Sequence, residues 1–226
     1  MKLWLKGALA GLAVLAVGGG AAVAIWGRPA AEHLEENFQT AADAKRVNDV
    51  HKIAELLEAH RAKTGLLPFE KKMPANSLLT VLVATPKAEA ELEGRGNPLG
   101  REPPGAFASH LLAELRPVVG SDLVLPVDPQ RAATGAPNAY YVRFKPGGEY
   151  LVAAFLRQPR AGTTAVAPGV YAYALRSESG AWTSGIWAGA RKLADVAVEE
   201  REHIRTQGDF ADAQFGKYMQ TWTDGA

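Results

Sequence analysis

The side chains best suited to chemistry in this sequence of 226 residues are histidines and carboxylates, because cysteine is absent. The lack of cysteine excludes disulfides, thiolate metal sites, a cysteine nucleophile and a lipid-modified cysteine anchor. His51 and Glu55 are four residues apart, so on a helix they share one face and could share a metal ion. Two ligands do not complete a metal site, and we therefore favour a solvated helix face. The remaining histidines are His33, His60, His110 and His203.

The acidic side chains do not form a recognisable catalytic arrangement either. Asp122 and Asp128 flank an apolar segment, and Glu149 begins a predicted strand. General acid–base catalysis requires two groups in a defined geometry, and spacing places no partner beside these three. Asp128 precedes a proline, which is typical of a turn. The motifs of phosphate loops, dinucleotide sites, serine hydrolases and zinc proteases are also absent. We therefore predict no catalytic residue, no cofactor, no metal ligand and no enzyme activity.

The composition is that of a globular protein, with 47% apolar, 22% charged and 8% aromatic residues. These fractions exclude collagen-like, coiled-coil-only and wholly disordered chains. The 25 basic residues nearly balance the 24 acidic ones. Because no basic excess exists to attract phosphates, nucleic acid is not an expected partner.

The N-terminal segment predicts a membrane anchor. Residues 7–26 carry no charge, and a helix of roughly 20 residues spans roughly 30 Å, the thickness of a bilayer core. Lys2 and Lys6 precede the segment and acidic residues follow it. The positive-inside rule then predicts residues 1–6 in the cytoplasm and residues 27–226 as an exported domain.

Two features of the same segment leave alternatives open. Ala22 and Ala24 have the small-residue spacing of a signal-peptide cleavage site, so residues 7–26 could be removed after export. Gly7 and Gly11 have the spacing of a helix-pairing motif, although an alanine- and glycine-rich segment contains such pairs by chance. The uncleaved anchor and the cleaved signal peptide both export the rest of the chain.

A long amphipathic helix is predicted after the anchor. Residues 30–63 contain neither proline nor glycine, and Val47, Val50, Ala54 and Leu57 recur at helical spacing. The charged residues of the segment belong to the other faces of the helix. Gly65 is the expected residue at the C-terminal end.

The remainder of the chain predicts short helices, loops and an antiparallel sheet. Proline and glycine in residues 86–106 indicate a surface excursion. The predicted strands, joined by glycine-containing turns, are residues 140–144, 149–156, 170–176 and 181–187. The predicted helices are residues 77–84 and 106–115, and a helical tail within residues 190–226 that comprises residues 192–205 and 210–222. The expected fold is α+β, with the long helix packed on a four-stranded antiparallel sheet.

Aromatic side chains on the predicted strands are the candidates for a binding face. Alternation along a strand would place some of Tyr171, Tyr173, Trp182 and Trp187 on an open face of the sheet, where they could hold a glycan or a peptide. Core and cross-strand packing is the favoured interpretation. The full set of candidate interaction residues is Gly7, Gly11, Val47, Val50, Leu57, Tyr171, Tyr173, Trp182 and Trp187.

The segment from Asp49 to Pro68, with Gly65 three residues before the proline, resembles the helix end of type IV pilin-like proteins. The closest likeness is to the major pseudopilin of type II secretion. The Leu-Pro-Val-Asp-Pro segment at 125–129, the strand that begins Tyr140-Tyr141-Val142-Arg143 and the Gly-Gly-Glu-Tyr hairpin at 147–150 resemble that family as well.

The resemblance implies a fold, a partner class and one metal. The fold is a long N-terminal helix, half in the membrane and half against an antiparallel sheet, and the role is in a periplasmic filament or its assembly. The family's calcium loop would correspond to residues 177–189, where only Glu178 is acidic, so we expect no calcium here. No Gly-Phe junction precedes the apolar segment, and residues 7–25 contain no glutamate. A pilin-like domain on a conventional anchor fits these departures better than a filament subunit.

Two functions follow as expectations. The first, which the resemblance implies, is a single-pass protein of the bacterial inner membrane with a periplasmic pilin-like domain, a structural or accessory component of a secretion or pilus-type assembly. Its partners would be membrane lipid through residues 7–26, and envelope proteins or further copies of itself. The alternative is a secreted or anchored non-catalytic module that binds a peptide, a glycan or a small ligand.

Overall fold

The computed structural model describes residues 39–75, 77–84, 106–128, 139–177 and 189–223, with side chains described as far as residue 213. The chain divides after Thr40 into two units, and nearly all of the described residues belong to the second, Ala41–Ala226. The segments predicted to be cytoplasmic (1–6) and membrane-spanning (7–26) lie outside the described residues. Among the helices described, none has both the length and the apolar character that crossing a bilayer requires.

Part of the amphipathic helix predicted at 30–63 is present as α1, which occupies residues 39–64, while residues 30–38 lie outside the described residues. The described chain contains no long apolar N-terminal helix, so that part of the predicted fold is wrong. Its apolar stripe is fully buried, with Val50, Ile53 and Leu57 all at 0% exposure. The helix ends where the sequence predicted, because Gly65 adopts a φ of +76° and donates its N–H to the Arg61 carbonyl at 2.8 Å. That left-handed conformation favours glycine, so the predicted C-terminal cap is confirmed.

A seven-stranded mixed sheet forms the centre of the domain. Its strands are β1 (Leu79–Val83), β2 (Ala106–Phe107), β3 (Tyr140–Lys145), β4 (Glu149–Leu156), β5 (Thr163–Ala167), β6 (Val170–Arg176) and β7 (Arg191–Lys192). The spatial order is β2-β1-β3-β4-β6-β5, and β7 pairs with the remaining part of the β6 edge. The pairs β1–β2 and β6–β7 are parallel, whereas the other pairs are antiparallel.

The prediction of a four-stranded antiparallel sheet is therefore wrong, although the protein is α+β. Three predicted strands coincide with β3, β4 and β6, and the fourth, at 181–187, lies outside the described residues. Residues 77–84 were predicted as a helix and instead contain β1, which pairs with β3 from Leu79↔Phe144 to Val83↔Tyr140. A short apolar run is compatible with either a helix or a strand. Here the pairing with β3, which is distant in the sequence, makes the run a strand.

The helices after the sheet's first strands differ in length from the prediction. The helix expected at 106–115 is α2 (Ala108–Val119), which buries Leu111 and Leu115. The tail was predicted as two helices, but a short 3₁₀ helix (Leu193–Asp195) is followed by one continuous helix, α3 (Val198–Thr223). Gly208, near the middle of α3, does not interrupt the helix. This glycine makes a close contact with α1 that is described below.

Both faces of the central strands are buried. The first face bears Tyr140, Val142, Tyr150 and Tyr173 and packs with the apolar stripe of α1 and with α2 in one core. The second face forms a separate cluster that includes Leu82, Tyr141, Leu151, Ala153, Phe155, Ala172 and Ala174. The sheet tyrosines in the first core are therefore interior packing groups.

Candidate functional site

The N-terminal half of α1 carries charged side chains in the interior of the protein. Asp43 and Asp49 are 0% exposed, and Arg46 is 4% exposed. The amphipathic pattern assigned these residues to the outer faces of the helix, and that interpretation is wrong. The sheet, the segment 120–128 and α3 each contribute partners to this half of α1, and these partners enclose Asp43, Arg46 and Asp49.

Arg46 joins α1 to a distant segment through a buried, bidentate ion pair. Its Nε and Nη2 atoms donate to the two carboxylate oxygens of Asp128 at 2.9 and 3.0 Å. Its Nη1 atom donates to Oδ1 of Asp43 at 3.0 Å. Burial opposes the charge of Arg46, but the hydrogen bonds and charge of Asp128 outweigh it and raise the pKa of the guanidinium. Arg46 is therefore held as a cation between two carboxylates.

Asp43 extends this triad to the sheet. Its Oδ2 atom accepts the backbone N–H groups of Arg157 and Gln158, just after β4, at 2.8 and 2.9 Å. One cluster of Asp43, Arg46 and Asp128 thus ties α1, the end of β4 and the 120–128 segment to one another. Because each charged atom has a specific partner, sliding α1 along the sheet by one turn would leave buried charges unpaired.

Asp49 is the centre of a second polar cluster, which faces α3. Its Oδ2 atom accepts hydrogen bonds from Lys45 Nζ at 2.8 Å and from the Tyr140 hydroxyl at 2.5 Å. Burial raises the pKa of Asp49, and burial beside Asp49 raises the pKa of Tyr140 well above its ordinary value. Lys45 continues outward to Asp212 of α3 at 3.0 Å. This chain of charges connects the sheet, α1 and α3.

His51 is buried on the same side of α1, at 3% exposure. Its Nε2 atom is 2.8 Å from the Tyr173 hydroxyl, while Nδ1 has no hydrogen-bond partner among the described residues. Burial, and secondarily the positive charge of Arg201, lowers the pKa of His51 from 6.5 to about 4. The imidazole is therefore neutral at ordinary pH, and burial raises the pKa of Tyr173 to about 12.

A close approach of α3 to α1 covers these polar groups. The inward residues of α3 recur at helical spacing and are Arg201, Ile204, Gly208, Ala211 and Asp212. A side chain at Gly208 would overlap the side chain of Asn48, so glycine is what allows the two helices to meet there. Asn48 is 2% exposed, and its Nδ2 atom has no hydrogen-bond partner within the described part of the chain.

A cleft of about 570 Å³ lies beside these clusters. Its apolar wall is the segment 123–126, where Val124 is 74% exposed. Its charged wall comes from α1 and α3. The lining residues are Lys45, Asp49, Lys52, Glu55, Leu56, Ala59, Leu123, Val124, Leu125, Pro126 and Asp212.

The structure places His51 and Glu55 in different surroundings. His51 is buried, whereas Glu55 is exposed, so the solvated helix face that was favoured for this pair is wrong for His51. Asp122 is exposed, but Asp128 is buried at 3% and is an ion-pair partner rather than only a turn residue. Among the described residues, no group of three or more potential ligands could hold a metal ion.

The candidate interaction residues are placed as follows. Val47, Val50 and Leu57 are core residues of the α1–sheet contact. Tyr173 is buried on His51, and Tyr171 is half-buried against the same core. Outside the described residues lie Gly7, Gly11, Trp182 and Trp187.

One signal for the buried triad was available in the sequence. Asp43 and Arg46 precede Val50 and Ile53 by seven residues each, so they extend the apolar stripe along the same face of the helix. Opposite charges three residues apart on a buried face indicate an internal ion pair. Asp128 gave no such signal, because it lies 82 positions after Arg46 in the sequence and only the folded chain brings the two residues together.

The two clusters differ in how fully their carboxylates are hydrogen-bonded. The carboxylates of the triad accept from the guanidinium and from backbone N–H groups, whereas Oδ1 of Asp49 has no hydrogen-bond partner among the described residues. His51 is neutral against a tyrosine hydroxyl. Comparison of the chain with family models, with curated proteins and with solved structures gave no match.

Proposed function

We propose that this chain is a non-catalytic, pilin-like structural or accessory component of a bacterial envelope assembly, of the secretion or pilus type. In this proposal the apolar segment 7–26 anchors the chain in the inner membrane, and the α+β domain works in the periplasm. Its partners are membrane lipid, envelope proteins and further copies of the same chain. No enzyme activity is part of this function.

The observation that carries the proposal is the way in which α1 is built into its domain. The apolar stripe from Val47 to Leu57 packs against the antiparallel core of the sheet, as the pilin-like resemblance implies. The triad of Asp43, Arg46 and Asp128 adds a polar lock on the same helix. A helix held on two sides serves as a rigid support for the domain, which suits a protein that positions other proteins.

Intact-mass measurement of the protein from a membrane fraction tests the anchor. A chain that begins at Met1 or Lys2 supports an uncleaved anchor and a fixed accessory role. A chain that begins near Ile25 and is found in the soluble fraction contradicts the anchor and favours a free binding module.

Site-specific crosslinking in cells tests the assembly role. Because the natural sequence has no cysteine, Val124→Cys or Phe210→Cys introduces a single thiol at a position that is 74% or 66% exposed. The proposal predicts crosslinks to membrane-embedded envelope proteins or to another copy. His203→Cys, on another exposed part of α3, provides a matched reference. Recovery of monomer alone at every position would count against an assembly component.

The second candidate function, a non-catalytic binding module, is favoured by the cleft beside α1. It combines an exposed apolar wall at Val124 with charged groups from α1 and α3, and apolar walls with a few polar groups are typical of ligand-binding clefts. The predicted aromatic face is not the basis of this candidate, because Tyr173 is interior. Binding of a defined peptide library to the wild type, but not to Val124→Asp, would support the module and weaken the assembly role.

A further inference from the structure

The helix α3 covers a polar strip of α1 rather than an apolar one. The strip consists of Lys45, Asn48, His51 and Lys52, which lie at three- and four-residue spacing on one side of the helix. We call these four residues the polar strip. Most apolar side chains of α1 point instead into the sheet core.

The described part of the docked helix α3 does not provide a hydrogen-bond partner for every buried polar atom of the polar strip. Asn48 Nδ2 and His51 Nδ1 are both buried and both lack a hydrogen-bond partner among the described residues. A buried donor or acceptor without a partner opposes the folded arrangement, because in water the same atom would be hydrogen-bonded. Lifting α3 away would let both atoms reach water.

The described ties between α3 and α1 are charge pairs whose carboxylates are exposed. Lys45 meets Asp212 at 3.0 Å, and Lys52 lies 3.7 Å from both Asp209 and Asp212. Asp209 and Asp212 are 49% and 41% exposed, and exposed pairs contribute little in water. Within residues 198–213, the part of α3 whose side chains are described, Ala211 is buried and Ile204 is partly buried, and the apolar contact is small. Over this part of α3, docking is therefore weak compared with docking of α1 on the sheet.

We propose that α3 is a releasable strap: a proton taken up by His51 detaches α3 from the polar strip while α1 and the sheet stay folded. The proton adds a second N–H donor to an imidazole that has one partner, the Tyr173 hydroxyl of β6. The new donor has no acceptor among the described residues as long as α3 is docked. This device does not depend on the proposed envelope role.

The charges around His51 oppose the proton in the docked state. Arg191 of β7 donates to the carboxylate of Glu200 of α3 at 2.6 and 3.0 Å. Glu200 favours the imidazolium of His51, and the positive charge of Arg191 offsets that effect. From α3, Arg201 donates to the carbonyls of Leu193 and Val196, so its positive charge has no carboxylate partner in these contacts. Tyr173 supplies the remaining contact, from β6. A cation at His51 therefore meets net repulsion.

The direction of the pH effect follows from this arrangement. The pKa of His51 is about 4 with α3 docked and rises towards its ordinary value of 6.5 once α3 is released and water reaches the ring. The docked state binds fewer protons, so its population decreases as the pH falls from about 6.5 towards about 4. The ratio of released to docked α3 should rise by up to about 30-fold between about pH 7.5 and about pH 5.

Hydrogen–deuterium exchange of the full-length chain, corrected for intrinsic exchange rates, tests the strap. We expect the opening constant of residues 198–213 to rise by up to about 30-fold between about pH 7.5 and about pH 5, with β3 and β4 still protected. His51→Gln should abolish the rise, because glutamine does not titrate. His203→Gln, on the exposed side of α3, should retain it. An unchanged opening constant in the wild type, or a full rise in His51→Gln, overturns the proposal.

A second variant keeps the test decisive if His51→Gln does not fold. Gly208→Ala places a methyl group against Asn48 and should release α3 at every pH. The strap predicts loss of protection in residues 198–213 alone, with β3 and β4 unaffected. If Gly208→Ala unfolds the sheet as well, or leaves α3 protected, then α3 is not a separable strap.

Discussion

The helix α1 makes two long contacts, and they have opposite characters. Toward the sheet it presents Val50, Ile53 and Leu57, all fully buried in one apolar core. Toward α3 it presents lysines, an asparagine and a histidine, which are held by exposed charge pairs and a glycine contact. The two contacts share one helix but differ in what stabilises them.

The comparison shows how one helix supports both a strong contact with the sheet and a weak contact with α3. Each fully buried aliphatic side chain stabilises the folded state by about 2 kcal/mol, so the sheet contact accounts for much of the stability of the domain. An exposed ion pair contributes at most about 1 kcal/mol, and an unpartnered buried polar atom opposes docking by about 1–3 kcal/mol. For residues 198–213 of α3, the part whose side chains are described, the contact is therefore near balance, whereas the α1–sheet contact is not.

The buried triad belongs to the strong contact, and breaking it should have the largest effect. Asp128→Ala leaves Arg46 with only Asp43 as a carboxylate partner in the interior, and we expect the free energy of unfolding to fall by about 3–5 kcal/mol. Denaturant unfolding followed by circular dichroism measures the loss. Asp122→Ala, at an exposed position on the same segment, should change stability by less than about 0.5 kcal/mol. Equal, small losses in both variants would show that the triad is not a structural lock.

Truncation of the apolar stripe should have the next largest effect. Leu57→Ala removes a fully buried side chain and leaves a cavity, so we expect a loss of about 3 kcal/mol in the free energy of unfolding. Leu56→Ala, at the half-buried neighbour that faces the cleft, should cost about 1 kcal/mol. The same unfolding assay compares them, and a reversed order would contradict the assignment of the stripe to the sheet contact.

The tyrosine hydroxyls of β3 offer a sharper comparison between adjacent residues. Tyr140→Phe removes the hydroxyl that donates to Asp49, and we expect a loss of about 1–2 kcal/mol in the free energy of unfolding. Tyr141→Phe removes a buried hydroxyl that has no hydrogen-bond partner in the described part of the chain, so it should be neutral or slightly stabilising. Equal effects from both changes would argue against a specific Tyr140–Asp49 bond.

Weakening the α3 contact should have the smallest effect on global stability. Asp212→Asn removes the partner that Lys45 and Lys52 share, and we expect a loss below about 1 kcal/mol that decreases further in high salt. Thermal unfolding at low and high salt measures it. Glu202→Gln, in an exposed pair within α3, serves as the reference for a charge change without a contact to α1. A loss as large as that of Leu57→Ala would contradict the weak-contact interpretation.

Sequence patterns predicted the elements whose signals are local. The end of α1 at Gly65 and the strands β3, β4 and β6 were predicted because a capping glycine, alternation and glycine turns act over a few residues. The seven-stranded mixed sheet was not predicted, since β1 and the parallel two-residue strands β2 and β7 exist only through pairing with distant partners. The same apolar run that forms β1 is also compatible with a helix.

By itself, the sequence determined the apolar stripe of α1, the absence of thiol chemistry and the near-balance of charge. Only the tertiary structure decided which polar residues of α1 are interior. Asp43 and Arg46 share the helical face of the stripe, but their burial depends on Asp128, which the chain brings to them across 82 positions. A charge is tolerated inside a protein only when a partner is supplied there, and that partner is a property of the folded arrangement rather than of the local sequence.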